Sequence, residues 1–359
     1  MAVTIRDVAR VSGFSVATVS RVLNGIGPVK DETRRRVREV ATSLRFSPNV
    51  AARSLSTSRT HTLGVLLPDL HGEFFSEVIR GIDETAQAQG YHVLVSSSHN
   101  APAEISAALA TMLGRVDGVV IMSPVIDGRT LAAELPPSLP IVLLNCAGGQ
   151  QDVDALDIDN HGGAFAMTRH LLALGRQRIA FVGGPRGNAD ADARRRGYRD
   201  ALREAGIAQP DSWEIDGDFS EGAGIAAVEQ LLAVSPRPDA LFAANDVMAI
   251  AAMSALRDAG LRVPDDIAVT GFDDIPIARY FHPTLTTVRV DIAGLGARAV
   301  RTLIHAVGWK NEHARVQATL ATELVVRASC GARVADGGVK VGSGGLTSGR
   351  GLECRTPIA

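Results

Sequence analysis

A set of polar and aromatic residues in this chain recurs at one kind of place, just after a short apolar run. Asp69, His71, Phe74 and Phe75 follow the first run. Ser123 and Asn145 follow later ones, and then come Asp190, Asp192 and Arg194, Phe219, Asn245 and Asp246, and Asp273 and Asp274. Carboxylates, a guanidinium and amides fork onto neighbouring hydroxyls, and a flat aromatic covers the apolar face of a ring. The chemistry on offer is recognition of a small polyol. Some members have plainer explanations: Asp246 caps a helix beginning at Val247, Asp274 shapes a turn, or Phe75 belongs to a core.

A second set lies in TIRDVARVSGFSVATVSRVLNG, residues 4–25. Thr4 is placed to cap a helix whose first turn carries Asp7, and Ile5, Val8 and Ala9 share one face. Gly13 permits a sharp turn and Ser15 offers a fresh cap. Val19, Val22 and Leu23 then form a buried stripe, which leaves Val16, Ala17, Ser20 and Arg21 outward. A helix presenting such residues beyond a tight turn suits the major groove, where Arg reads guanine and small side chains touch thymine methyls. A small helical domain without DNA contact fits the periodicity equally well.

Charge favours the groove-binding reading. Residues 1–60 hold 11 Lys and Arg against 4 Asp and Glu, a balance of +7; the remainder carries 26 against 35, or -9. This is the pattern of a nucleic-acid-binding head on an acidic body. Lys30 to Leu44 has helical spacing at Val37, Val40, Ala41 and Leu44, predicting a third helix whose Arg34, Arg35, Arg36 and Arg38 form a solvated or phosphate-facing edge. Pro48 then breaks the pattern, Asn49 can cap, and Val50–Leu55 is long enough for hardly two helical turns.

The elements that must hold the polyol-type residues begin at Leu63. Buried strands are expected at Leu63–Leu67, His92–Ser96, Val119–Met122 and Ile141–Leu144, alternating with helices at Phe74–Gln89, Ala103–Leu113 and Thr130–Leu135. After a crossing near Asp159 a second round follows. Helices are expected at His161–Leu174, Ala191–Ala205, Glu221–Ala233 and Val247–Ala259, and strands at Ile179–Val182, Ala240–Ala243 and Ile267–Gly271. A helix at Ile292–Val307 and a last strand at Thr319–Val326 complete it. The fold class is α/β: a small all-α helix-turn-helix head, then a two-lobed body of parallel sheets flanked by helices, with repeated crossings making a hinged cleft. The residues after each strand are then the ligand-binding positions.

The segment DVARVSGFSVATVSRVLNG closely resembles the DNA-reading segment of the lactose-repressor/galactose-repressor (LacI/GalR) family, and the resemblance extends over about residues 4–328. It implies a homodimeric, allosteric DNA-binding regulator, with a body similar to a periplasmic sugar-binding protein and a small-molecule effector between the lobes. Relief of repression by a sugar is the expected sign; corepression by a nucleobase or other metabolite is the alternative. The divisions expected are a DNA-binding domain at 1–47, a hinge helix and linker at 48–62, an effector-binding and dimerisation domain at 63–330, and, from its Gly- and Ser-rich composition without apolar periodicity, a disordered tail at 331–359.

Carried over residue by residue, the operator-contacting set is Thr4, Ser15, Val16, Ala17, Thr18, Ser20, Arg21 and Asn24. Ala52, Arg53 and the minor-groove wedge Leu55 come from the hinge. The effector-binding set is Asp69, Phe74, Phe75, Ser123, Asn145, Asp190, Arg194, Phe219, Asn245 and Asp273, chosen by their places after the strands, with Arg194, Phe219, Asn245 and Asp273 matching pocket residues of the family. Two departures bear on ligand identity: many members carry Asn-Pro before the paired phenylalanines where this chain has Gly72-Glu73, and some present an aromatic where Ile292 stands. The leucine heptads that join some members into tetramers are missing from the Gly- and Ser-rich tail.

Other classes fare worse. GAGIAA at Gly222 and GLGARA at Gly294 fit G-x-G-x-x-A, but neither opens a first strand-to-helix turn, so a nucleotide-cofactor oxidoreductase is disfavoured. No metal cluster or nucleophile elbow is found, and Cys146, Cys330 and Cys354 are widely spaced. No catalytic residue, cofactor or metal is expected. The chain shows neither a signal peptide nor an apolar run long enough to span a bilayer, so it is expected in the cytoplasm and away from membranes.

Overall fold

The computed structural model describes residues 3–25, 27–46, 59–99, 101–133, 135–146, 153–309 and 313–332. Ala52, Arg53 and Leu55 of the expected hinge lie outside the described residues, as does nearly all of the expected tail.

The head has three helices, Ile5–Ser12, Val16–Asn24 and Asp31–Ser43. The Asp7 carboxylate accepts from the Thr4 N–H at 3.0 Å and the Thr4 hydroxyl at 2.8 Å, fixing the first helix start. These bonds hold the Asp7 carboxyl below its ordinary range, the backbone bond contributing most. Gly13 ends that helix at φ 79°, a conformation open to glycine without strain. Val8, Ala9, Val19, Val22, Val37, Val40 and Ala41 form one buried cluster, with Ile5, Phe14, Leu23, Val29, Leu44 and Phe46 packed at its margin.

The described residues divide into two compact units. The first comprises those within Met1–Asp159, Asn188–Asp190 and Asp291–Leu320, and the second those within Asn160–Gly187, Ala191–Val290 and Ala321–Ala359. The chain therefore passes between units several times.

In the first unit, β1 (Thr62–Leu67), β2 (His92–Ser97), β3 (Gly118–Met122), β4 (Ile141–Leu144), β5 (Asp154–Ile158) and β11 (Gln317–Leu320) form a parallel sheet in the order β11-β5-β4-β3-β1-β2. Its helices are Glu73–Ala88, Pro102–Met112, Gly128–Ala133 and Ile292–Gly308. Gly81 and Gly296 let two of these helices meet closely. A Cβ on Gly81 would stand 2.0 Å from the Ala293 carbonyl oxygen, and one on Gly296 would stand 2.4 Å from that of Val78.

The second unit has a four-stranded parallel sheet in the order β7-β6-β8-β9. Its strands are β6 (Ile179–Val182), β7 (Glu214–Ile215), β8 (Ala240–Ala243) and β9 (Ala268–Thr270). A separate antiparallel pair joins β10 (Thr287–Arg289) to β12 (Glu323–Val325). Its helices are Asn160–Ala173, Glu221–Leu232, Asp246–Asp258 and, from Ala191 on, Ala189–Glu204, whose first two residues belong to the first unit.

Several sequence-based expectations change. The strand expected across Thr319–Val326 is two strands, β11 in the first unit and β12 in the second, because the chain changes unit at Leu320–Ala321. β5, β7 and β10 were not expected, and the two lobes differ in strand number. Asp246 does not cap its helix; Asn245 does, accepting from the Met248 N–H at 2.9 Å. Both G-x-G-x-x-A matches lie inside helices, Glu221–Leu232 and Ile292–Gly308.

Candidate functional site

Each parallel sheet has a point where its strand order reverses, between β1 and β3 in one unit and between β6 and β8 in the other. Loops leave such a point in opposite directions and open a crevice at the carboxyl ends of the strands. Asp69 and Ser123 follow the first pair, Gly184 and Asn245 the second.

In the second unit the candidate residues meet around Arg194, which is only 4 % exposed. Its Nε donates to Asn160 Oδ1 at 2.8 Å and its Nη1 donates to the Ala244 carbonyl. Its Nη2 stands 3.1 Å from Asp273 Oδ1. The guanidinium carbon lies 3.8 Å from the centroid of the Phe272 ring and 5.9 Å from that of Phe219. A buried cation thus gains a carboxylate, two carbonyl-type acceptors and an aromatic face, the compensation that burying a charge requires.

Asn245 joins the cluster by donating from Nδ2 to the Phe219 carbonyl at 3.0 Å. Gly184 is what lets the Phe219 ring sit there, since a Cβ on it would be 2.3 Å from Phe219 Cζ.

Asp273 carries the sharper information. Its Oδ1 is ion-paired with Arg194 Nη2, and no other described residue donates to that oxygen. Burial pushes the Asp273 carboxyl up to about 6, against the pull of the Arg194 charge. Asp246, wholly buried, accepts from the Thr287 hydroxyl and from the Ile275 N–H at 2.9 Å. Its carboxyl is driven far above the ordinary range, first by burial and then by the charge of Asp273. Asp274 turns away from this cluster to Arg289 Nε at 2.8 Å and to Arg327. It anchors the loop to β10 and to the residues after β12.

The first unit contributes a looser set. Asn145 donates from Nδ2 to Asp190 Oδ2 at 3.1 Å, while its own Oδ1 and the Ser123 hydroxyl are buried without a hydrogen-bond partner among the described residues. Phe74 and Phe75 are half-buried and meet edge to face at 5.4 Å. Asp69 is exposed and accepts from the N–H groups of Leu70 and His71 at 2.6 and 3.0 Å, closing its own loop. Asn145, Phe219, Asp273 and Asp274 all have positive φ, at 46°, 70°, 113° and 55°. Such backbone costs about 1–3 kcal/mol per residue and gathers at functional sites. Asn160, Phe272 and Gly184 were not among the expected site residues; their part is visible only in contacts.

On the head, Ser15 accepts from the Thr18 N–H at 3.2 Å and starts the second helix. Ser15, Val16, Ala17 and Arg21 are exposed, with Thr18, Ser20 and Asn24 half-buried beside them. Asn24 Nδ2 donates to the Ser20 hydroxyl at 3.2 Å. Thr4 is exposed at the start of the first helix. The outward face carries one cation, small side chains and hydroxyls, and Arg21 makes no ion pair among the described residues.

A three-helix head with such a face, followed by two units built on parallel sheets with polar strand ends, defines a DNA-reading head joined to a binding-protein-like body. Residues 4–49 match the bacterial regulatory proteins of the lacI family, and residues 168–330 match the periplasmic binding protein-like domain. The chain is 33% identical over 329 residues to the HTH-type transcriptional repressor PurR of Mannheimia succiniciproducens, covering 91% of this chain and 98% of that one. The crystal structure of the Lac repressor dimer bound to operator and the anti-inducer ONPF superposes with a TM-score of 0.83 at 30% identity, covering 92% of this chain and 99% of that one. A complex of the transcriptional regulator CelR with cellobiose gives 0.69 at 31% identity, covering 91% and 99%. The chain belongs to the lacI family of bacterial transcriptional regulators. Among the described residues no helix is long and apolar enough to cross a membrane.

Proposed function

We propose that this chain is a cytoplasmic repressor that acts by binding rather than by catalysis. It reads a pseudo-palindromic operator as a homodimer and leaves it when an uncharged, hydroxyl-rich effector binds, a sugar or close derivative. The operator contacts are Thr4, Ser15, Val16, Ala17, Thr18, Ser20, Arg21 and Asn24, with Ala52, Arg53 and Leu55 supplied by the hinge. The effector contacts are Arg194, Phe219, Asn245 and Asp273 of the second unit, and Asp69, Phe74, Phe75, Ser123, Asn145 and Asp190 of the first. Two structural neighbours support the reading: one is a dimer on operator DNA, the other holds cellobiose.

The observation that carries the effector class is the buried carboxylate of Asp273, whose Oδ1 is ion-paired with Arg194 but accepts no hydrogen bond of good geometry among the described residues. A buried acceptor of this kind favours a ligand that donates a hydrogen bond, as a hydroxyl does. A phosphate or carboxylate would bring like charge to it. The guanidinium of Arg194 is already matched to Asp273, and Arg195 is held by Asp216 at 2.7 Å and by Glu214 at 3.7 Å, so neither arginine stands ready for an anion.

A thermal-shift screen of neutral sugars, sugar phosphates and nucleobases tests this. A bound effector at about 100 times its Kd adds roughly 2.7 kcal/mol. A shift from a neutral sugar that disappears in a folded Asp273→Asn variant is expected; a shift from sugar phosphates or nucleobases alone overturns the sugar assignment. A nucleobase that tightened operator binding would make the protein a corepressor-dependent regulator instead.

A further inference from the structure

The last residues before β1 are tied down by one carboxylate. Asp117, half-buried just ahead of β3, accepts on Oδ1 from the Thr60 N–H at 2.6 Å and from the Thr60 hydroxyl at 2.9 Å, and on Oδ2 from the His61 N–H at 2.9 Å. The tie runs both ways, since the Asp117 N–H donates to the Thr62 carbonyl at 2.8 Å. Arg59 donates from Nη2 to the Val307 carbonyl at 3.4 Å, where a cation suits the negative end of the helix Ile292–Gly308.

The bonds to residues 60 and 61 lie beyond the strand's own ladder. β1 pairs with β2 from Thr62 and with β3 from Leu63, and the sheet pattern ends with the bond that the His92 N–H donates to the His61 carbonyl at 2.9 Å. There the chain changes direction: His61 has φ 51°, a conformation a non-glycine residue keeps only where its surroundings dictate it. A carboxylate suits this task because both its oxygens accept, whereas an amide accepts at one side and meets the remaining donor with its own N–H. What Asp117 fixes is the place and direction in which the chain leaves the first unit's sheet toward residues 1–47.

We propose that Asp117 is a positioning residue for operator reading: it clamps residues 60 and 61, so that the tether of the DNA-reading head starts from a fixed point beside β1. The inference rests on the operator-binding reading above. In a dimer the second head reaches its half-site on a tether held at one end, and freeing that end lowers its effective concentration there. Charge alone argues the other way, because removing a carboxylate lessens repulsion of phosphates. The sign of the effect separates positioning from electrostatics.

Full-length parent, Asp117→Asn and Thr60→Val are compared on a duplex that the parent selects from a random pool, on an unselected duplex of equal length, and by limited trypsin digestion. Trypsin cuts after Arg59, and the N–H of the bond it cuts is one that Asp117 holds. In Asp117→Asn, cleavage at Arg59–Thr60, read by mass spectrometry, should be roughly fivefold faster, because it follows local opening. The selected duplex should bind about threefold more weakly, with the unselected one unchanged or tighter. Thr60→Val drops one donor and leaves the sheet alone, so it should change both readouts in the same direction by less. The double variant should lose less than the product of the two single losses. Parent-rate cleavage in Asp117→Asn would overturn the clamp. Faster cleavage with unchanged or tighter binding of the selected duplex would show that the clamp serves only the fold, and would overturn the positioning role. If the parent selected no duplex, the operator reading would fail and the positioning role with it, while the cleavage result stood.

Discussion

Arg21 and Arg194 are the same side chain in opposite circumstances. Arg21 projects from the head into solvent without an ion pair among the described residues, whereas Arg194 is buried among Asn160, Ala244, Phe272 and Asp273. An exposed guanidinium keeps its hydration and loses little while it waits for a partner. A buried one has surrendered that hydration and must find its counter-charge within the fold. Arg21 can therefore be altered without harming stability, while the proposed effector cluster would join recognition to folding.

The largest effect should come from breaking the buried pair. Asp273→Ala leaves Arg194 desolvated and uncompensated, and such losses cost about 3–5 kcal/mol. Denaturant unfolding should show a drop of this order, with a smaller one for Asp273→Asn, which keeps shape and an acceptor. A surface-sized loss for Asp273→Ala would mean that water reaches Arg194.

The same pair predicts a pH dependence. The folded Asp273 carboxyl is raised from 3.8 to about 6, so over that window the folded state binds more protons than the unfolded chain. Its contribution to stability therefore falls as pH rises, by about 1.4 kcal/mol per unit, and is flat above. Asp200, Asp216 and Asp266 are held low by their partners and act in the opposite direction, so the quantity to measure is the difference between parent and Asp273→Asn. That gap should narrow from pH 4 to pH 6. Because Asp246 responds to the Asp273 charge, it belongs to the pair rather than to one residue. A gap independent of pH would contradict the raised carboxyl.

Arg21→Ala, by contrast, should leave Tm unchanged and cost about 1–3 kcal/mol of operator affinity, relaxing preference at one base pair in each half-site. Binding titrations against a selected operator and its single-base variants read this directly. Unchanged affinity would move the DNA-reading face elsewhere on the head.

How much of this was legible in the sequence follows from the same contrast between local and distant partners. The head is local: caps, glycine turn and apolar stripe lie within 22 residues, and they suffice for two helices. Strands β1, β3, β4, β6 and β8 are near-continuous apolar runs, buried along almost their whole length. β5 breaks the apolar pattern, because DALDI carries two acids. Its Asp154 is buried with partners that come from about 160 residues later, His313, Arg315 and the Val316 N–H. Phe272 looks like a core residue in GFDD until the Arg194 guanidinium is found over its ring, and Gly184 is informative only through the Phe219 ring it admits. The acid of GFDD that faces Arg194 and the one that anchors β10 are adjacent in sequence, and only the positive-φ backbone separates their tasks.

The smallest effect sharpens the head's side of the comparison, because Ser15 serves the fold and is also proposed to face DNA. Its hydroxyl accepts from the Thr18 N–H and is exposed at the start of the second helix. Ser15→Ala removes a cap worth about 1 kcal/mol and should lower head stability by that amount. Asp caps as well as Ser and suits the positive helix end, so Ser15→Asp should leave stability unchanged. It would nevertheless set a negative charge against the phosphates and weaken operator binding, most visibly at low salt. If Ser15→Asp folded normally and bound operator like the parent, Ser15 would be a cap alone, and the DNA-facing surface would begin at Val16.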